Sequence, residues 1–360
     1  MEIFEDHIHI SGAGVDKEYE DKDLYDSMSN MFMRHNKAAN IKISSTTFYK
    51  SNLLYFSRVL SMKRNVTSLI LENVVLPEEG SYYLGLSIIA NQQLAVLSLA
   101  STRLSESGLV NLFAVLESSH VEKLTMTGNT FNARVVAAIN TMLIRNTTIA
   151  TLFFNFNEIQ DADAAILATG LAAHPALVEL HLESNKIGNE GVAFIIEAVV
   201  ALTSVTTLAL VNNTIGCEGA ICIAAALNMS PSLRVLDLGG NKIKSEGCIA
   251  LMEAMCRNVV VQNLRIYNNS IGNDAVPSIV RMLKVNRTLT SFSLAFNNLT
   301  TIDINTCCDA LEHNGAITDF FTNRTLGTRY RFVKRNHLNA KRKTTTMLDI
   351  MIDRCFRWLR

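Results

Sequence analysis

From Leu177 to Gly191 the chain reads LVELHLESNKI followed by GNEG. Leu180 and Leu182 alternate with Glu179, His181 and Glu183, the pattern of a short strand with one buried face. Asn185 stands where the chain must turn inward after the strand, and Ile187 returns it to the core. Glu190 falls in the first turn of the next element, where a helix dipole favours an acid. Phe194, Ile195, Ala198 and Val199 then recur at helical spacing. A single strand and a single helix cannot bury their apolar faces alone, so such a unit needs neighbours of its own kind.

Those neighbours are present on both sides, at intervals of 28 residues or nearly so. Upstream stand AANIKISSTTF from Ala38, VTSLILENVVL from Val66, LAVLSLASTRL from Leu94, VEKLTMTGNTF from Val121 and IATLFFNFNEI from Ile149. Downstream follow VTTLALVNNTI from Val205, LRVLDLGGNKI from Leu233, VQNLRIYNNSI from Val261 and LTSFSLAFNNL from Leu289. Asn recurs at the ninth position in Asn129, Asn157, Asn185, Asn213, Asn241, Asn269 and Asn297. A stacked amide at this place can bond the backbones of adjacent units, which gives it a structural role as a ladder. Late in their units, Asn91, Asn146, Asn258 and Asn286 are expected to end helices in the left-handed conformation. Strands stack on one side and bulkier helices on the other, so the array must curve with its parallel sheet on the concave face.

LxxLxLxxNxI followed by GxEG and an amphipathic helix resembles the leucine-rich repeat of the ribonuclease-inhibitor type, over about residues 38–327. The resemblance implies an α/β leucine-rich-repeat solenoid, or horseshoe. Parallel strands would line its concave face, helices its convex face, and partners would bind on the concave face or at the ends. It says little about function, because unrelated activities share the fold.

Three regions are expected: an acidic capping segment at 1–37, about ten repeats at 38–327, and a basic tail with an amphipathic helix at 328–360. With 360 residues, 48% of them hydrophobic and 18% charged, one elongated solenoid accounts for the chain. No apolar run approaches the length of a membrane span, and the acidic start MEIFEDHIHI lacks a signal-peptide pattern. A cytoplasmic location is therefore expected. The 7 cysteines read as reduced packing residues, with Cys217, Cys222, Cys248 and Cys256 at core-compatible helical positions. Asn-x-Ser/Thr triplets at Asn146, Asn212 and Asn286 are explained by the repeat and are not expected to carry glycans.

The formal net charge of 0 conceals a polarised chain. Acids crowd the first 25 or so residues, whereas Lys and Arg dominate from Arg324 onward, against only Asp349 and Asp353. At the first end, Ile8 and Ile10 read as a strand and Asp23–His35 as a helix, together a degenerate first coil. The ladder position holds Thr46, Val74 and Thr102 in the first three full units. The Leu94 unit is one residue short, most simply by a deletion between Leu116 and Val121. The tail has two readings: a helix that caps the last coil, or a docking element carrying Arg331, Lys334, Arg335, Phe356 and Trp358. Membrane-surface or nucleic-acid contact by its basic stretch is a lesser alternative.

Strand residues pointing away from the core line the concave surface. Phe153, Arg265 and Tyr267 are its best interface anchors, since exposed aromatic and Arg side chains usually fill that role. Asp237 lies among them, and Phe156 and Phe296 point toward the rim. Glu179, His181 and Glu183 share one face, the arrangement a metal or acid/base site would need, although a solvated polar patch is the favoured reading. P-loop, HExxH, GxSxG and paired-Cys motifs are absent from the sequence. The expectation is therefore no enzyme, no cofactor, no metal and no small-molecule substrate, but a scaffold for one or more proteins. Alternatives are a GTPase activator resembling that of the Ran GTPase, whose tail is acidic where this one is basic, and an architectural subunit of a cytoskeletal or ciliary assembly.

Overall fold

The computed structural model describes residues 2–4, 7–11, 39–48 and 50–322. Its strands are β1 (Glu2–Phe4), β2 (His7–Ser11), β3 (Asn40–Ser44), β4 (Ser68–Glu72), β5 (Val96–Ala100), β6 (Lys123–Thr125) and β7 (Thr151–Phe153). They continue through β8 (Glu179–His181), β9 (Thr207–Ala209), β10 (Val235–Asp237), β11 (Asn263–Arg265), β12 (Ser291–Ser293) and β13 (Asp319–Phe321). From β3 onward a helix follows each strand as far as β12. These are α1 (Lys50–Met62), α2 (Gly80–Ala90), α3 (Glu106–Leu116), α4 (Ala133–Arg145) and α5 (Asp161–Ala173). Then come α6 (Asn189–Ala201), α7 (Cys217–Leu227), α8 (Lys244–Met255), α9 (Val276–Val285) and α10 (Thr301–Ala310).

All thirteen strands form one sheet in chain order. β1 and β2 pair antiparallel, with Ile3 opposite Ile8, and every later pairing is parallel. The register repeats the sequence period: Leu180 faces Leu208, Leu208 faces Leu236, and Leu236 faces Leu264. These leucines are buried with Leu182, Leu210 and Leu238 between the sheet and the helices. Neighbouring strands lie about 4.8 Å apart and packed helices about 8–10 Å apart, so equal numbers of each force the sheet to the inside of an arc.

The Asn ladder closes each turn. Asn213 donates through Nδ2 to the Leu182 carbonyl of the preceding coil at 2.9 Å and to its own Leu210 carbonyl at 3.1 Å. Its Oδ1 accepts from the Ile187 N–H at 3.0 Å. Asn185, Asn241, Asn269 and Asn297 each donate back to the preceding coil in the same way, at 2.8–3.0 Å. Asn129 donates to Leu99 O, and Asn157 Oδ1 accepts from Asn129 N–H. At the irregular end, Thr102 donates to Asn129 Oδ1 at 3.3 Å, and Val74 is simply buried.

The late asparagines act differently from the expectation. Asn91, Asn146 and Asn286 have φ of −101°, −75° and −67°, outside the left-handed region. They work through their side chains as a second ladder. Asn146, Asn258, Asn286 and Asn314 donate to Leu116 O, Leu227 O, Met255 O and Leu283 O of the coil before. Each also accepts from N–H groups two and three residues ahead, as Asn286 does from Thr288 and Leu289. His174 takes this place in its own coil, with Nδ1 2.9 Å from Leu143 O and Nε2 2.7 Å from Ile149 O. A left-handed residue lies instead just after the strand in each repeat, at Ser45, Asn73, Ser101, Gly128, Phe156, Ser184, Asn212, Gly240, Asn268 and Phe296, with others further along the turn at Arg103, Glu158, Lys244 and Ser270.

Two helical expectations also need correction. Phe194 and Cys222 point outward, and the buried faces are built on Val192, Ile195, Ile196 and Val199 in α6 and on Ala220, Ile223, Ala224 and Leu227 in α7. Cys217 and Cys256 are half-buried. Cys248 and Cys307 are core thiols that burial pushes up to about 12. The short unit is absorbed where expected. Buried helix residues keep a spacing of 28 from Ile88 to Leu116, whereas the strand register moves by 27 from Leu97 to Leu124. The expected helix at 23–35 and the tail residues Arg331, Lys334, Arg335, Phe356 and Trp358 lie outside the described residues.

Asn213→Ala leaves the Ile187 N–H buried without a partner and reduces the Leu182 carbonyl to its bond from Asn185 Nδ2. A loss of about 1–3 kcal/mol of unfolding free energy is expected, measured by urea denaturation; a change below about 0.5 kcal/mol would contradict the bonding role.

Candidate functional site

Constant register turns one position of each repeat into a continuous row across the concave face. Thr125, Phe153, His181, Ala209, Asp237, Arg265, Ser293 and Phe321 are successive neighbours in it. The sheet therefore brings together the sequence-selected residues Phe153, His181, Asp237 and Arg265, with Glu179, Glu183 and Tyr267 one alternation away.

Phe153 is already engaged on two sides. Its ring stacks on His181 at 4.1 Å between centroids with an interplanar angle of 16°, and Lys123 Nζ lies 5.0 Å from its centroid. An incoming partner meets the edge of this ring, not an open face. His181 is bracketed by two carboxylates, with Nδ1 3.1 Å from Glu183 Oε1 and Nε2 3.6 Å from Glu179 Oε2. Because the carboxylates approach opposite nitrogens, the imidazole stands between them and they cannot close on one ion. Among the described residues no group of three or more His, Cys, Asp or Glu side chains is arranged to hold a metal. Glu183 is fixed further by its N–H, which donates to Asn155 Oδ1 at 3.0 Å. Its Oε2 and the Nε2 of His181 are buried and make no hydrogen bond.

Beyond Ala209, Asp237 is buried and fully engaged. Oδ2 accepts from the Arg265 guanidinium at 3.0 Å and Oδ1 from the Gly239 N–H at 3.1 Å. The Arg265 side chain remains 46% exposed. The Tyr267 ring lies flat over Gly239, where a Cβ would come within 2.1 Å of its Cζ. Burial, the charge of Asp237 and then that of Glu183 hold the Tyr267 phenol above its ordinary value, with Arg265 opposing. The result is a low floor of Ala209, Val211 and Gly239 between an acidic wall on β8 and an Arg/Tyr wall on β11.

Phe156 borders this region, its N–H bonded to the Glu183 carbonyl at 3.0 Å. Its φ is 58° and it is 60% exposed; Phe296, at the same place in its own repeat, has φ 57° and is 70% exposed. The other repeats hold Ser, Asn or Gly there, residues that tolerate this conformation at lower cost. The recurrence of those residues was the signal by which the sequence could have marked both phenylalanines as exceptions.

The sequence model of the Leucine Rich repeat family matches residues 174–195, 201–224, 230–252 and 285–303. These four coils are similar to leucine-rich repeats. Among solved structures, the chain is similar to a chain in the Rad7 and Elc1 complex in yeast, at 14% identity and a TM-score of 0.56, covering 85% of this chain and 76% of that one. It is also similar to an internalin (inlF) from Listeria monocytogenes, at 16% identity and a TM-score of 0.42, covering 85% and 96%. Compared with curated protein sequences, the chain has no significant match. Among the described residues no helix is long and apolar enough to cross a membrane.

Gly239→Ala should push the Tyr267 ring off the sheet into water. Its hydroxyl should then titrate closer to the ordinary phenol value of about 10. Phenolate absorbance, with Tyr267→Phe to isolate the signal, reads the shift; an unchanged titration would place the ring elsewhere.

Proposed function

We propose that this leucine-rich repeat protein is a non-catalytic scaffold that holds one or more partner proteins on its concave face. Phe156 carries the reading. An aromatic residue in the left-handed region costs roughly 1–2 kcal/mol over the right-handed one, and this one also leaves most of its ring in water. Packing explains neither feature, whereas interfaces use exposed rigid aromatics as anchors. Arg265 and Tyr267 extend the same surface four strands away, each held by a neighbour on the sheet. A fold of this kind also occurs in the yeast Rad7 and Elc1 complex, an assembly of more than one protein.

The coils are assigned to the ribonuclease-inhibitor type because helices of 10–13 residues occupy the convex side of the array. A reducing, cytoplasmic setting is the matching location: the six cysteines among the described residues are free thiols, and adjacent Cys307 and Cys308 are buried.

The triple variant Phe156→Ser, Arg265→Ala and Tyr267→Ala should stay folded, with a cooperative thermal transition lowered by the loss of the Arg265–Asp237 pair. It should bind any partner identified by affinity capture and mass spectrometry at least about tenfold more weakly, the loss of about 1.4 kcal/mol or more of anchor energy. Retained binding in this variant, with loss in the convex-face variant Phe194→Ser, would move the interface to the helices.

A further inference from the structure

The inward positions of β8 to β13 carry Glu179, Glu183, Asp237 and Asp319 against the single cation Arg265. Arg265 is already bonded to Asp237 at 3.0 Å. Glu179 on β8 and Glu183 just after it have only His181 between them, and Glu183 Oε2 is buried without a hydrogen-bond donor. This half of the concave face therefore has an excess of acceptors and of negative charge, beside the small residues Ala209 and Val211. The sequence holds one segment of opposite character. Arg329–Lys343, RYRFVKRNHLNAKRK, has seven Lys and Arg and no acid, with Tyr330 and Phe332 interleaved among the arginines.

We propose that the basic segment Arg329–Lys343 is the resident occupant of the acidic concave face between β8 and β13, bound within its own molecule. The proposal rests on the reading of that face as a docking surface and adds its regulation, since a partner must displace the segment to reach Glu183 and Tyr267. Connectivity permits it. The described chain ends at Thr322, directly after β13, and β8 lies five strand spacings away, about 24 Å. Twelve extended residues from position 323 to Lys334 span up to about 40 Å, enough to bring Lys334 and Arg335 over the β8 carboxylates. Charge complementarity selects this face, because the inward positions of β3 to β7 carry Lys42 and Lys123 and one acid, Glu72, which Lys42 already pairs at 2.7 Å. Exposed rings at Phe156 and Phe321 offer faces for guanidinium groups at the two ends of the path.

Zero-length carbodiimide coupling of the full chain, followed by peptide mapping of the monomer, tests the contact. Lys42 with Glu72 and Lys186 with Glu158, paired at 2.7 and 3.1 Å, serve as internal positive controls. Amide bonds are expected from Lys334, Lys341 or Lys343 to Glu179, Glu183 or Asp319, and their yield should fall several-fold in Arg331→Ala/Arg335→Ala and at high salt. The proposal is overturned if the controls couple while these lysines do not, if the lysines couple only to carboxylates off the concave face, or if coupling occurs only between molecules. No partner is present in this measurement, so its failure leaves the scaffold reading standing, and failure of partner capture leaves the coupling result intact.

Discussion

The hydrogen bonds that a ladder asparagine makes to the coil before it are the constraint on which the rest of the molecule depends. Every turn between strand and helix leaves buried backbone groups that no regular secondary structure can pair. One amide supplies donors and an acceptor together, and it does so only when the neighbouring coil presents its carbonyl and N–H at a fixed offset. Asn213, bonded to Leu182 O and Ile187 N–H, shows the demand in a single residue. A shift of one residue between coils would break both contacts at once and would turn the leucine row toward water. The period is thus enforced by the cost of leaving buried polar groups unpaired.

Fixed register has a functional consequence. Phe153, His181, Ala209, Asp237 and Arg265 come from five repeats, yet they meet as nearest neighbours because each repeat contributes its strand in phase. The short unit confirms how tightly this is held. The missing residue is taken out after Leu116, in the connection, and both the helix packing and the strand pairing pass through it unchanged. The concave face is therefore a rigid array whose chemistry is set by one or two residues per coil, and binding to it spends little on ordering the receptor.

The strand positions, the first ladder and the alternation with helices could be read from the sequence because each follows from a period and from which side chains tolerate burial. The second ladder was visible as recurring asparagines, but its mechanism was not. A helix-terminal Asn can act through its backbone or its side chain, and only the proximity of the preceding coil's carbonyl decides between them. Phe194 and Cys222 were misplaced because helices in contact with both neighbours tolerate apolar residues on much of their circumference, which blurs the moment that marks the buried side. At the candidate site the sequence-selected Phe153, His181, Asp237 and Arg265 do stand on β7, β8, β10 and β11. It could not show that Lys123 and His181 flank Phe153, that Tyr267 lies across Gly239 at the same position of the preceding coil, or that the exposed aromatic is Phe156. Those facts depend on neighbours 28 residues away in rotamers that no local pattern dictates.

Native-state hydrogen exchange of the amides that donate to the ladder tests the central claim most directly. Ile159, Ile187, Ile215, Ile243 and Ile271 each give their N–H to the Oδ1 of the asparagine in the following coil, at 3.0–3.2 Å. If the ladder locks the coils together, these five amides exchange slowly, open with one shared free energy, and respond together to denaturant. Exchange as fast as that of exposed turn amides, or five unrelated opening energies, would contradict it.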